Sequence, residues 1–248
     1  MTSFVKQVTS VILKADVLLL VLDARAPEQT RNARVERIIH DNSKRLIYVI
    51  NKSDLVPKNS LKGIAEGLEP CVFVSMKDKT GINYLRDMIS MEGKKAGIKE
   101  RDVLVGVLGY PNVGKSSIIN TLSNRKAAPA SNVAGTTRGV RLVRSRSHIT
   151  LIDTPGVIPQ DDKNESKNAL IGSVDFTKVK DPESVVFEIM ETHPNAVERY
   201  FSVPNADDPE EVLESIALKK RVLKKGGEPD TSRMARMILQ DWQNGVFR

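Results

Sequence analysis

The octapeptide Gly109-Tyr-Pro-Asn-Val-Gly114-Lys115-Ser116 constrains this chain more than any other feature. It has the spacing of a phosphate-binding loop, follows the apolar run Val103 to Leu108 and opens a helical stretch carrying Ile118 and Ile119. A strand, a glycine-containing turn and a helix in immediate succession form a unit that closes into a helix-covered sheet. In that setting the N–H groups of Asn112, Val113, Gly114, Lys115, Ser116 and Ser117, the helix N-terminus and the Lys115 ammonium gather phosphate oxygens, and the Ser116 hydroxyl is placed to ligate Mg²⁺. Chance alone produces this spacing in about one chain per hundred of this length. The flanking strand and helix set it apart from a glycine-rich turn that binds nothing.

The rest of the chain has the matching periodicity. Short β-branched and leucine-rich runs predict six strands: Val17 to Asp23, Leu46 to Asn51, Cys71 to Ser75, Val103 to Gly109, Val140 to Arg144 and Ile149 to Asp153. Helical stretches lie between them near Phe4 to Lys14, Glu28 to His40, Ser60 to Gly67, Gly81 to Met91 and Gly114 to Leu122. The first four strands are almost wholly apolar, as expected where helices cover both faces of a parallel sheet. Beyond Pro159 a polar stretch leads into helix-like segments with no further strand pattern, which predicts a helical second domain. There Asp230 caps a last helix with Met234, Met237, Ile238 and Trp242 on one stripe, Trp242 being read as a core anchor ahead of a base-stacking platform.

The longest wholly apolar run, Val17 to Leu22, falls far short of the roughly 20 residues of a bilayer span. With no basic-then-apolar leader, the expectation is a cytoplasmic protein, acting as a monomer. Cys71 sits in an apolar run and is expected to pack as a small hydrophobe, and His40, His148 and His193 are too scattered for a zinc cluster.

Two further motifs fall at strand ends. Asp153-Thr-Pro-Gly156 would be a common turn in isolation. Downstream of a phosphate loop, its carboxylate can reach Mg²⁺ through water and the Gly156 N–H can face a γ-phosphate, while Thr136 or Thr137 supplies a second hydroxyl. Asn51-Lys52-Ser53-Asp54 reads either as an Asn/Asp turn or as a guanine reader, with the Asp54 carboxylate accepting the ring N–H and amine and the Lys52 stem over the purine. Ser75-Met76-Lys77 completes the second reading, the Met76 N–H donating to the guanine O6. Asp23, Asn51, Ser75, Gly109 and Asp153 all stand at C-terminal strand ends, the edge at which open α/β sheets bind ligands.

These motifs resemble the five of a Ras-like GTPase taken in a different order, because the two guanine-reading motifs precede the phosphate loop. The chain therefore resembles a circularly permuted GTPase. The run Asp23-Ala-Arg25-Ala-Pro27-Glu-Gln-Thr-Arg31-Asn32 and the C-terminal stretch from Lys224 through Asp230, Arg233, Leu239 and Trp242 to Gly245 are similar to the ribosome biogenesis GTPase A (YlqF/YawG) family. Bacterial members often carry Pro-Gly-His-Met before the first helix, whereas this chain begins Met1-Thr-Ser-Phe-Val, and Met76 stands where the family usually has alanine.

The resemblance implies a Ras-like P-loop domain over residues 1–172, circularly permuted, with a six-stranded mostly parallel α/β sheet. A small all-helical domain over 173–248 follows, which binds rRNA. The expected sheet order, numbering strands along the chain, is 5-6-4-1-2-3, with the fifth antiparallel at the edge. Lys115, Thr137 and Gly156 are the catalytic candidates, Ser116, Thr137 and Asp153 the Mg²⁺ set, and Asn112 a K⁺ ligand. Val157 replaces the water-orienting glutamine of Ras-like enzymes, which predicts slow hydrolysis stimulated by K⁺ and a ribosomal subunit. Continuity from Gly156 into the helical domain would let departure of the γ-phosphate move that domain.

Charge points the same way. Lys and Arg number 38 against 31 Asp and Glu, a net +7, and Ile216 to Arg248 alone carries eight cations against three acids. A solvated helix face is one reading. The other is an rRNA contact through Lys219, Lys220, Arg221, Lys224 and Lys225, helped by Arg138, Arg141, Arg144 and Arg146 and by Lys94, Lys95, Lys99 and Arg101. Two alternatives to a GTPase assembly factor remain: an RNA-binding structural factor for which nucleotide is only a regulator, and an ATP-dependent kinase, which Asp54 disfavours.

Overall fold

The computed structural model describes residues 3–123, 141–144, 148–153 and 165–247. The chain divides into two compact units, Met1–Lys163 and Asn164–Arg248.

In the first unit α1 (Ser3–Lys14) leads into β1 (Val17–Asp23), then α2 (Pro27–Thr30), α3 (Ala33–Asp41), β2 (Arg45–Asn51), α4 (Leu61–Ala65), β3 (Cys71–Phe73), α5 (Ile82–Lys95), β4 (Val103–Leu108), α6 (Lys115–Leu122), β5 (Arg141–Arg144) and β6 (Ile149–Asp153). The six strands form one sheet in the order β3-β2-β1-β4-β6-β5. That is the order the motifs implied, read from the opposite edge. Every pairing is parallel except β5 with β6. All seven residues of β1 are buried, since it is central and covered on both faces. On one face Val8, Val11 and Ile12 of α1 and Val35 and Ile39 of α3 pack with Leu18, Leu20, Leu22 and Ile50.

The helix expected over Glu28 to His40 is two helices. Arg31 is extended (ψ 153°), and the Asn32 side chain accepts from the Val35 N–H, so the chain stops and is capped anew. The third strand ends at Phe73 rather than Ser75, because Ser75 turns away to bridge Thr80. Val140, expected to begin the fifth strand, lies outside the described residues.

The second unit comprises α7 (Glu165–Leu170), α8 (Pro182–Thr192), α9 (Ala196–Phe201), α10 (Pro209–Lys219) and α11 (Thr231–Asn244), with an isolated bridge between Leu223 and Pro229. Its boundary falls at Asn164, ahead of the expected residue 173. The reason is α7: Trp242 Nε1 donates to the Leu170 carbonyl at 2.9 Å and Gln243 Nε2 to that of Ala169 at 2.9 Å. Trp242 is fully buried, and Asp230 accepts from the Arg233 N–H as the cap of α11. Met237, assigned to the buried stripe, is 41% exposed, because the stripe runs instead through Met234, Ala235, Ile238, Leu239 and Trp242. Among the described residues no helix is long and apolar enough to cross a membrane.

Candidate functional site

The phosphate loop joins β4 to α6 by a path that its glycines permit. Gly109 has φ 143°, and a Cβ there would lie 2.6 Å from the Val21 carbonyl oxygen of β1. Gly114, the residue before α6, has φ 100°, and its Cβ would collide with Asn51 Nδ2. Asn112 also has a positive φ of 59°, which asparagine tolerates better than most residues. Lys115 is buried, and its ammonium donates to the Tyr110 carbonyl of the same loop. Val113 packs in the core, Ser116 is exposed at the first turn of α6 and Ser117 is half-buried.

Beside this loop β2 delivers the other motif. Asn51 is 2% exposed and, rather than facing outward, donates from Nδ2 to the Val113 carbonyl at 2.8 Å. It thereby bolts the phosphate loop to the strand that carries Asp54. Its Oδ1 is buried with no hydrogen-bond partner among the described residues. Asp54 rides on a single 3₁₀ turn, Ser53–Leu55, and its Oδ1 accepts from Ser75 Oγ at 2.7 Å. Ser75 Oγ in turn accepts from the Asp78 N–H at 3.0 Å, so the Ser75-Met76-Lys77 loop orients the carboxylate. Met76 is half-buried there and Lys77 exposed.

Asp153 ends β6 in register with Val107, which places its backbone at the same sheet edge as the loop. Thr136, Thr137, Gly156 and Val157 lie outside the described residues. The structure thus brings together Asn51, Lys52, Asp54, Ser75 and Asn112 to Ser117 in one region of one edge.

One feature went unassigned in the sequence. Asp23 is fully buried and holds two cations: Arg25 Nη2 and Lys52 Nζ both reach its Oδ2, at 2.8 and 2.7 Å. Burial opposes ionisation of Asp23, but Arg25 and then Lys52 outweigh it and hold the carboxyl far below the usual range. For Lys52, burial wins over the attraction of Asp23 and pushes its pKa down. The run Asp23-Ala-Arg25 was the available signal, although Lys52 is too distant in sequence to be paired with it by pattern.

Gly114→Ala is expected to destabilise the chain by about 2–4 kcal/mol, combining left-handed strain with overpacking against Asn51. A lowered urea midpoint with unchanged slope would register it. An unchanged midpoint would mean that Asn51 can leave Val113 at no cost.

A family model described as RsgA GTPase matches residues 2–161, and one described as 50S ribosome-binding GTPase matches 104–219. The chain belongs to the circularly permuted GTPases. It is 42% identical over 245 residues to an uncharacterized GTP-binding protein of Methanocaldococcus jannaschii, covering 97% of this chain and 65% of that protein. The GTPase grn1 of Schizosaccharomyces pombe is 34% identical, over 97% of this chain and 60% of its own length. Nucleolar GTP-binding protein 2 of the same yeast is 34% identical, over 95% and 45%. The chain thus spans less than two thirds of each of these relatives. A GNP-bound YlqF from T. maritima shares the fold, with a TM-score of 0.68 at 22% identity over 98% of this chain and 94% of that one.

Proposed function

We propose that this chain binds GTP, hydrolyses it to GDP and phosphate, and uses the two nucleotide states to time its stay on the rRNA of an assembling large ribosomal subunit. The observation that carries the nucleotide half is the Asn51 to Val113 hydrogen bond, which locks a guanine-type carboxylate, Asp54, to a lysine-bearing phosphate loop at one sheet edge. In this reading Asp54 accepts from the guanine ring, the Met76 N–H donates to O6, and Lys115 leaves the Tyr110 carbonyl to hold the β- and γ-phosphates. The exposed Ser116 at the head of α6 carries an oxygen donor of the kind a hard cation takes, so it fits Mg²⁺, and in this reading Asp153, whose backbone ends β6 at the same sheet edge, would supply a carboxylate. Held by these residues, such an ion would supply positive charge to offset that developing on a bound nucleotide's phosphates. Thr137 and Gly156 complete the proposed site.

For the RNA half, the relatives named nucleolar GTP-binding proteins support a ribosomal partner, as does the family description. Lys219, Lys220, Arg221, Lys224 and Lys225 are all exposed, at the end of α10 and in the turn before α11, residues 220–230. Of the other basic groups, Arg138 and Arg146 lie outside the described residues, and that of Lys94, Lys95, Lys99 and Arg101 is partly engaged inside the chain. Arg101 forms a two-pronged pair with Asp16 at 2.7 and 2.8 Å, and Lys95 meets Glu92 at 2.6 Å. The C-terminal group is therefore the stronger candidate, even though Lys219 also donates to the Ser202 carbonyl.

Sedimentation with large ribosomal subunits tests this reading. The chain is expected to co-sediment more in a non-hydrolysable GTP analogue than in GDP, or the reverse, but not equally. Replacing the five cations by glutamine should weaken binding and flatten its salt dependence by about 0.7–0.9 in log-log slope for each phosphate that is no longer neutralised. GTP affinity should hardly change. An unaltered salt slope would make this group a solvated helix end.

A further inference from the structure

The buried charges behind the proposed base site call for a role, because a buried carboxylate with two cations is costly to keep. Asp23 ends the central strand β1 and is in register with Asn51 on β2, so Lys52 lies one residue beyond that pair. Adjacent strands are about 4.8 Å apart, a span that a lysine stem covers. Lys52 has φ 62°, a left-handed backbone conformation, and its Nζ ends 2.7 Å from Asp23 Oδ2 with its side chain 20% exposed. The four methylenes therefore cross the sheet edge from β2 to β1.

The segment after β1 is folded around the carboxylate that receives this lysine. Asp23 Oδ1 accepts from the Arg25 N–H at 3.0 Å and from its Nε at 3.1 Å, and Nη2 holds Oδ2 at 2.8 Å. The Asp23 N–H donates to Thr30 Oγ1 at 3.1 Å, and that hydroxyl donates to the Ala26 carbonyl at 2.8 Å. Pro27 sets the first turn of α2, so the turn closes back on its own start. The Arg25 side chain is only 2% exposed, which removes it from any direct contact with nucleic acid.

We propose that Asp23 is a positioning residue for the nucleotide base: its carboxylate, oriented by Arg25, anchors the Lys52 ammonium so that the lysine stem forms a fixed apolar platform for the purine. This rests on the reading of Asn51 to Asp54 as a guanine site. The physical gain is pre-organisation. A free lysine carries about 2 kcal/mol of rotamer entropy, which a base settling on it would otherwise have to quench. Here the anchor quenches it during folding. The carboxylate also explains why the ammonium stays at the inner end of the crevice while the stem is left for the base.

A double-mutant cycle on the full chain tests this, with GDP affinity as the readout. Asp23→Asn alone leaves two buried cations without an anion, so the cycle is built on Arg25→Met, where the further removal of the Asp23 charge keeps the net buried charge at its wild-type value. In that background Asp23→Asn should weaken GDP about tenfold to hundredfold while Lys52 is present, the span of one charge-assisted hydrogen bond. With Lys52→Met also in place, the same change should alter affinity less than about twofold, because a residue acting through Lys52 has nothing left to position. Equal reductions in both arms would overturn the inference and make Asp23 a fold residue. If those variants do not fold, Asp23→Glu keeps the charge and displaces the carboxylate: reduced GDP affinity at unchanged melting temperature is expected, and wild-type affinity overturns the proposal. A wild-type chain that binds ADP as tightly as GDP would overturn the base site itself, and this inference with it.

Discussion

ADP is expected to bind about a hundredfold to ten-thousandfold more weakly than GDP, because the Asp54 carboxylate can accept two guanine N–H bonds worth roughly 1.5–3 kcal/mol each and adenine presents neither donor. The structure sharpens the accompanying substitution. Ser75 Oγ donates to Asp54 Oδ1 at 2.7 Å, and in Asp54→Asn the same hydroxyl can still donate to the amide oxygen. The amide is thereby held with its NH₂ toward the base. Asp54→Asn should keep its fold, lose most of its GDP affinity and gain xanthosine diphosphate, whose ring carries a carbonyl where guanine carries its amine. Competition titrations with the three diphosphates check this. Equal GDP and ADP affinity in the wild type would remove the guanine assignment.

Hydrolysis by the chain alone should be slow, at or below about 10⁻⁴ to 10⁻³ s⁻¹, and an outside group can raise such a rate by up to about 10⁵-fold. Val157 offers no polar atom to orient water where Ras-like enzymes have glutamine. Asn112 stands in the loop with its backbone turned to φ 59°. If Asn112 held K⁺, the ion would supply positive charge of the kind an arginine finger supplies in other systems. The rate is therefore expected to rise in KCl over NaCl at equal ionic strength, to rise again with the large subunit, and to lose its K⁺ response in Asn112→Ala. Rapid turnover of the wild type in NaCl alone would mean that a catalytic group lies elsewhere.

The sheet was legible because its strands advertise themselves. β1, β2 and β4 are apolar along nearly their whole length, each ends on or just before a polar or glycine position, and connection rules then leave few ways to order them. What resisted reading were local side-chain decisions. Asn32 ends one helix and caps the next by accepting from Val35, an event that a 3.6-residue period does not register. Within the site, Asn51 counted as part of a base motif, yet its amide points at Val113, a partner on another strand's loop. The pairing of Lys52 with Asp23 was likewise hidden, since sequence patterns report faces of elements and not which side chains meet where two strands end together. The helical unit was misjudged at its start for the same reason, as Trp242 and Gln243 claim α7 from the far end of the chain.

The position of β1 has a consequence for how the molecule is made. It pairs on one side with β2 and on the other with β4, joining Val17 to Val105 across the seam. During synthesis the half that carries Asp23, Asn51, Asp54 and Ser75 emerges first as a run of local parallel crossovers, and β4 is added to an edge already in place. Loop-closure entropy grows only logarithmically with length, so the late pairing is a small thermodynamic burden. Kinetically it makes the two halves a template and an addition. Circular permutation in this chain therefore reverses the order of birth: the strand ends that carry Asn51 and Asp54, the proposed purine end, are laid down before the glycine loop proposed to hold the phosphates exists.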